Sequence, residues 1–112
     1  MSWWTNIIIG ATSLEEDCRD DVVIDGPAIE YVNHWLAEAG LWPFFKMKHP
    51  DEDYSERVPS GCWYGSFKNL DKAGFFEAVN AAPWEWPEQI YIFERDEDDQ
   101  GWRVHRIPTR KL

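Results

Sequence analysis

The sequence predicts an α+β domain: an antiparallel sheet with two helices packed on one of its faces. Three observations carry this. Two segments place apolar residues at helical spacing, several others alternate or run β-branched, and the two kinds interleave along the chain. Hydrophobic residues make up 44% and aromatics 16% of the 112 residues, enough apolar surface to offset chain entropy despite a strongly acidic composition. Residues 1–112 therefore read as a single domain built on one core.

The chain opens with Trp4-Thr5-Asn6-Ile7-Ile8-Ile9, a β-branched run ending at Gly10 that predicts a buried strand. Residues 12–26 are acidic and polar and predict a long acidic loop, with room for one short strand at Val22-Val23-Ile24. Asp25-Gly26-Pro27 starts a helix over 27–39, with Ile29, Val32, Leu36 and Ala39 at helical spacing and Gly40 closing it. Residues 42–48 predict a strand whose Pro43 belongs at an edge or ahead of the ladder. After a polar loop over 49–60, residues 61–68 predict an aromatic strand pairing with the one before. A second helix is predicted over 70–81, with Phe76 and Val79 inward and Gly74 weakening it, and Pro83-Trp84-Glu85-Trp86-Pro87 stops it. Residues 88–95 alternate as a strand, 96–101 turn, and 102–107 return as its hairpin partner. The order is β-α-β-β-α-β plus a C-terminal hairpin strand, the ferredoxin-like split βαβ pattern. Ile7, Ile9, Ile29, Val32, Leu36, Phe76, Val79, Ile90 and Ile92 are the predicted core.

His34, His49 and His105 lack H-x-x-x-H or H-E-x-x-H spacing, and the acidic runs lack the fixed glycine and terminal glutamate of a calcium loop. No metal and no cofactor is expected. Ser60-Gly61-Cys62 has no nucleophile-elbow context, and the one glycine ahead of a helix, at Gly26-Pro27, has acidic neighbours that reject phosphate. No catalytic residue is assigned, and an enzyme is the less favoured class. As a competing class, the aromatic load could line a pocket, with Glu30, His34 and His105 as undistinguished acid–base candidates. Cys18 and Cys62 are expected as free thiols. No apolar run is long enough to span a bilayer, and the N-terminus lacks the pattern of a signal peptide, so a cytoplasmic location is expected.

Charge carries the functional reading. Twenty-one acidic against 11 basic side chains give a net charge of −10. The acids fall in three runs: Glu15, Glu16, Asp17, Asp20, Asp21 and Asp25; then Asp51, Glu52, Asp53 and Glu56; then Glu94, Asp96, Glu97, Asp98 and Asp99. Such a field repels nucleic acid and anionic membrane and attracts cationic surfaces. Trp63, Tyr64 and Phe67 on one strand invite a base-stacking reading, but the RNA-binding consensus is missing and the field is negative, so direct nucleic-acid binding is not expected. Arg103 and Arg106 are read as charge balance for the acidic hairpin arm. Eight tryptophans exceed what a small core usually needs, and Trp and Tyr are enriched at binding hot spots. The expected contact set is Glu15, Glu16, Asp17, Asp20, Asp21, Asp51, Glu52, Asp53, Glu56, Asp96, Glu97, Asp98 and Asp99, with Trp63 and Tyr64 as anchors. The expected function is a small acidic inhibitor that mimics DNA and docks on a basic, nucleic-acid-binding surface of a defence nuclease complex, of the anti-CRISPR or anti-restriction kind. An immunity protein against a toxin nuclease is the alternative with the same physics.

The opening Met1-Ser2-Trp3-Trp4-Thr5-Asn6-Ile7-Ile8-Ile9 resembles the start of small phage and plasmid proteins with a ferredoxin-like domain. The segment Trp84…Trp86-Pro87…Tyr91…Phe93-Glu94 is similar to their late part. The resemblance covers the two ends and not the middle. It implies a mobile-element origin and no catalytic residue.

Overall fold

A computed structural model describes residues 3–12, 15–19, 22–47 and 61–108, apart from the side chains of 17–19 and 22–24. Strand β1 (Trp4–Ala11) is central to the sheet. Its odd-numbered Ile7 and Ile9 are fully buried, while Asn6, Ile8 and Gly10 point to the other face and are half-buried. It pairs antiparallel with β5 (Gly61–Lys68) on one side and β6 (Ile90–Asp96) on the other. Short β4 (Phe45–Lys46) flanks β5 and β7 (Arg103–Arg106) flanks β6, so the five-stranded sheet runs β4-β5-β1-β6-β7.

Helices α1 (Pro27–Glu38) and α2 (Lys72–Ala81) cover the face from which Ile7, Ile9, Trp63, Phe67, Ile90 and Ile92 project. Pro27 sits in the first turn of α1, and Gly40 ends it in the left-handed region at φ 75°. Asp71 caps α2, its carboxylate accepting the Gly74 N–H at 3.2 Å. The packing of α2 on the sheet corrects one core assignment. Phe75, Ala78, Val79 and Ala82 turn inward, whereas Phe76 is half-buried and rests against the His105 ring at 4.4 Å. The other eight predicted core residues are buried together. On β5 the core face alternates Gly61, Trp63, Gly65, Phe67, and each large ring lies over the glycine two residues before it.

Two expectations change. Two strands lie within the predicted loop: β2 (Glu16–Arg19) and β3 (Val22–Asp25), the latter where the sequence leaves room for one short strand, pair antiparallel as a separate two-stranded sheet between β1 and α1. The β-branched Val22-Val23-Ile24 supplies one arm, and residues 16–19 pair with it despite their charge. The hairpin is tied at its base, where Gly26 N–H donates to the Glu15 carbonyl at 2.8 Å and Trp63 Nε1–H donates to Asp25 at 2.8 Å. A side chain at Gly26 would overlap that Glu15 carbonyl. The predicted strand over 42–48 shrinks to Phe45–Lys46, because Pro43 cannot donate to a ladder and the Phe44 N–H goes instead to the Asn33 side chain at 2.8 Å.

Candidate protein-binding surface

The acidic runs separate once the chain is folded. Glu15 is buried, and its carboxylate accepts the backbone N–H groups of Glu85 at 3.2 Å and Trp86 at 2.9 Å. It joins the base of the β2–β3 hairpin to the segment after α2, so its assignment as a contact residue is corrected. Trp63 is completely buried with its indole N–H satisfied by Asp25, and its assignment as an anchor is corrected for the same reason. Glu16 pairs with Lys46. The side chain of Asp17, and all of Asp20, Asp21, Asp51, Glu52, Asp53 and Glu56, lie outside the described residues. So do His49 and the Cys18 side chain; Cys62 is a free thiol whose ionisation burial pushes up.

The third run divides between inside and outside. Glu94 and Asp96 share the helix-facing side of β6 with Ile90 and Ile92 and are both buried. Lys72 from the first turn of α2 pairs with Glu94 at 2.8 Å and also with Asp96. Arg103 from β7 reaches Glu94 at 3.1 Å, Asp96 at 3.0 Å and Asp99 at 3.0 Å. His105 Nε2 lies 2.8 Å from Glu94, and the Thr5 hydroxyl donates to Asp96 at 2.7 Å. Burial alone would raise the Glu94 carboxyl, but hydrogen bonds from Arg103, Lys72 and His105 outweigh it and hold it at about 2. Asp96, likewise opposed by burial, is held at about 2 by hydrogen bonds led by Lys72 and Thr5. Asp96 is therefore an internal charge, and its place in the contact set is corrected. Asp99 is half-buried, accepting the Asp96 N–H at 2.9 Å, and it too closes the turn. Of this run only Glu97 and Asp98 stand exposed. Arg103 meets the acidic arm as expected; Arg106 instead lies over the Tyr91 ring at 4.1 Å and donates to the Glu88 carbonyl.

What remains on the surface is sorted by layer. The open sheet face carries a row across all five strands, Phe45, Tyr64, Ile8, Phe93 and Val104, paired residue to residue. Tyr64, 44% exposed, belongs to this row. Lys68, Arg95 and Arg106 alternate onto the same face, and among the described strand residues no carboxylate does. The helix layer has the opposite sign. Residues 26–45 and 73–94 contain no lysine or arginine, while Glu30 and Glu38 on α1, Glu77 on α2, and Glu85 and Glu88 beyond it are exposed, as is Asp71 at the α2 N-cap ahead of Lys72. His34, the one imidazole on α1, pairs with Glu38 at 3.1 Å.

Between the helices lies an open groove of about 260 Å³ lined by Tyr31, Trp35, Gly74, Glu77, Ala78 and Ala81. Tyr31 and Trp35 are one turn apart on α1; Gly74, Ala78 and Ala81 form a stripe of small residues on α2. A Cβ at Gly74 would come within 3.0 Å of the Trp35 ring, so this glycine lets the indole lie on α2. Glu30, Tyr31, Trp35, Glu38 and Glu77 lie outside the contact set expected from the sequence; on α1, Glu30, Tyr31 and Glu38 are the positions left outward once Ile29, Val32 and Leu36 turn inward.

Among the described residues, no group of three or more His, Cys, Asp or Glu side chains is placed to hold a metal ion, and no helix is long and apolar enough to cross a membrane. Comparison with known proteins gives no matching family model, no matching curated protein and no matching solved structure.

Proposed function

We propose that this chain is a small acidic protein-binding protein that docks on a basic, nucleic-acid-binding surface of a partner, with the outer face of the helix layer as its contact surface. One observation carries the reading: Glu30, Glu38, Glu77, Glu85 and Glu88 are exposed on two stretches with no lysine or arginine, and a groove lined by Tyr31 and Trp35 lies between the helices. Charge of one sign on one face steers encounter with an oppositely charged surface, and Tyr31 and Trp35 supply area at its centre. Occupying such a surface competes with nucleic acid, so the activity we assign is inhibition, of the anti-CRISPR or anti-restriction kind. An immunity protein against a basic toxin nuclease makes the same contact. We also read the sheet as a ferredoxin-like split βαβ. With the β2–β3 hairpin and β7 set aside, the remaining order β4-β5-β1-β6, with a helix in each crossover, supports that reading.

The test is capture from a nuclease-treated host extract at low and moderate salt, followed by identification and competition with added nucleic acid. A retained basic nucleic-acid-binding protein that added nucleic acid displaces, and that Glu30→Lys with Glu38→Lys no longer captures, is the expected result. Retention that ignores salt, nucleic acid and both reversals would overturn the proposal, as would no retention at all.

A further inference from the structure

We infer that the α1–α2 groove is a receptor site for a single arginine side chain presented by the basic partner; this rests on the proposed function above and names the contact at its centre. Three features of the groove converge on a guanidinium. Its walls are Tyr31 and Trp35, whose ring faces attract cations, and a planar guanidinium stacks on them better than an ammonium. Its floor on α2 is Ala78 and Ala81, small enough to let an extended aliphatic stem lie flat, with Gly74 beneath the Trp35 ring at one end. Glu77 stands on its rim, exposed, and has no ion-pair partner among the described residues.

The charge around the groove makes the choice one-sided. Neither α1 nor the part of α2 beyond its first residue contains a lysine or arginine to compete for Glu77. The nearest cation in sequence, Lys72, is engaged by Glu94 and Asp96 on the sheet side. Glu30 adjoins Tyr31 on α1, adding negative potential without occupying the groove. A volume of about 260 Å³ admits one long side chain rather than a helix. The groove is also held open from below: the Trp35 ring packs edge-on against buried Phe75 with centroids 6.1 Å apart, so its position is set by the core.

The test uses the whole chain, ¹⁵N-labelled, titrated with N-acetyl-arginine amide and, separately, with its neutral isostere N-acetyl-citrulline amide. Saturable shifts confined to Tyr31, the Trp35 indole and residues 74–81, given by arginine and not by citrulline, are expected. Glu77→Gln and Tyr31→Ala, both at exposed positions, should each weaken that binding by about five-fold or more with the rest of the spectrum unchanged. Shifts spread over every exposed carboxylate, equal shifts with citrulline, no shifts, or indifference to both variants would overturn the site. Partner capture separates this from the wider proposal. If Glu30→Lys with Glu38→Lys abolishes capture while Tyr31→Ala and Glu77→Gln bind as the parent chain does, the helix layer is the contact surface and the arginine site is wrong.

Discussion

At the scale of single residues, the acids of this chain fall into two kinds that composition does not distinguish. Glu94 and Asp96 are buried and work inside the fold, each facing Lys72 and Arg103. Both carboxyls sit at about 2 in the folded protein against ordinary values of 4.5 and 3.8. Their contribution to stability is therefore complete above the ordinary values and is lost as pH falls through that interval toward about 2. Thermal melts taken down this range should show a fall in stability concentrated between those limits. In Glu94→Gln, which keeps the shape but loses the charge-assisted bonds, neutral-pH stability should drop by about 2 kcal/mol and the remaining acid dependence should flatten. An unchanged acid limb in that variant would mean that other carboxylates carry the dependence. Glu15 shows the same principle in a connecting segment, holding two backbone N–H groups that would otherwise be orphaned.

At the scale of elements, the fit depends on small residues beneath large ones. Gly65 lies under the Phe67 ring on the core face of β5, and a methyl there would overlap it. Gly65→Ala should cost about 1–3 kcal/mol by chemical denaturation through forced displacement of Phe67. Gly10, with open space at its Cβ position, should tolerate alanine far better. Equal costs at the two sites would show that strand propensity rather than packing sets the penalty. The same elements show how far the sequence could be read. Both helices and the strands around Ile7, Tyr64 and Ile92 follow from apolar periodicity, because each buries one face. The β3 arm coincides with the short strand that Val22-Val23-Ile24 allows, whereas β2 is hidden because its charged residues 16–19 break the alternation that marks a strand. On α2 the pattern admits either of two adjacent phenylalanines beside Val79, and packing turns Phe75 rather than Phe76 fully inward. The runs where acids are dense carry the contact set expected from the sequence. Several of those are consumed by the fold, while the scattered acids of the helices stay exposed.

At the scale of the whole molecule, a net charge of −10 is not spread evenly. Among the described residues, the helix layer beyond Lys72 carries exposed carboxylates with no further lysine or arginine, and the open sheet face carries Lys68, Arg95 and Arg106 beside an aromatic row. Under the proposed function, a basic partner approaching this field would be turned toward the helices before any contact forms, and such steering acts on the association rate. Glu30→Lys with Glu38→Lys should therefore slow association with an oligoarginine peptide by about ten-fold at low ionic strength, with the difference closing as salt shortens the Debye length. The dissociation rate should change much less, because both carboxylates are exposed and give up little solvation when the complex forms. Lys68→Glu makes the same kind of reversal on the opposite face, where Lys68 is exposed at the end of β5. It adds negative charge to the molecule yet should barely alter the rate if orientation matters. Stopped-flow measurements across a salt series distinguish the two cases. If Lys68→Glu accelerates association as strongly as the helix reversals slow it, the partner responds to net charge alone, and the segregation of charge between the layers has no part in recognition.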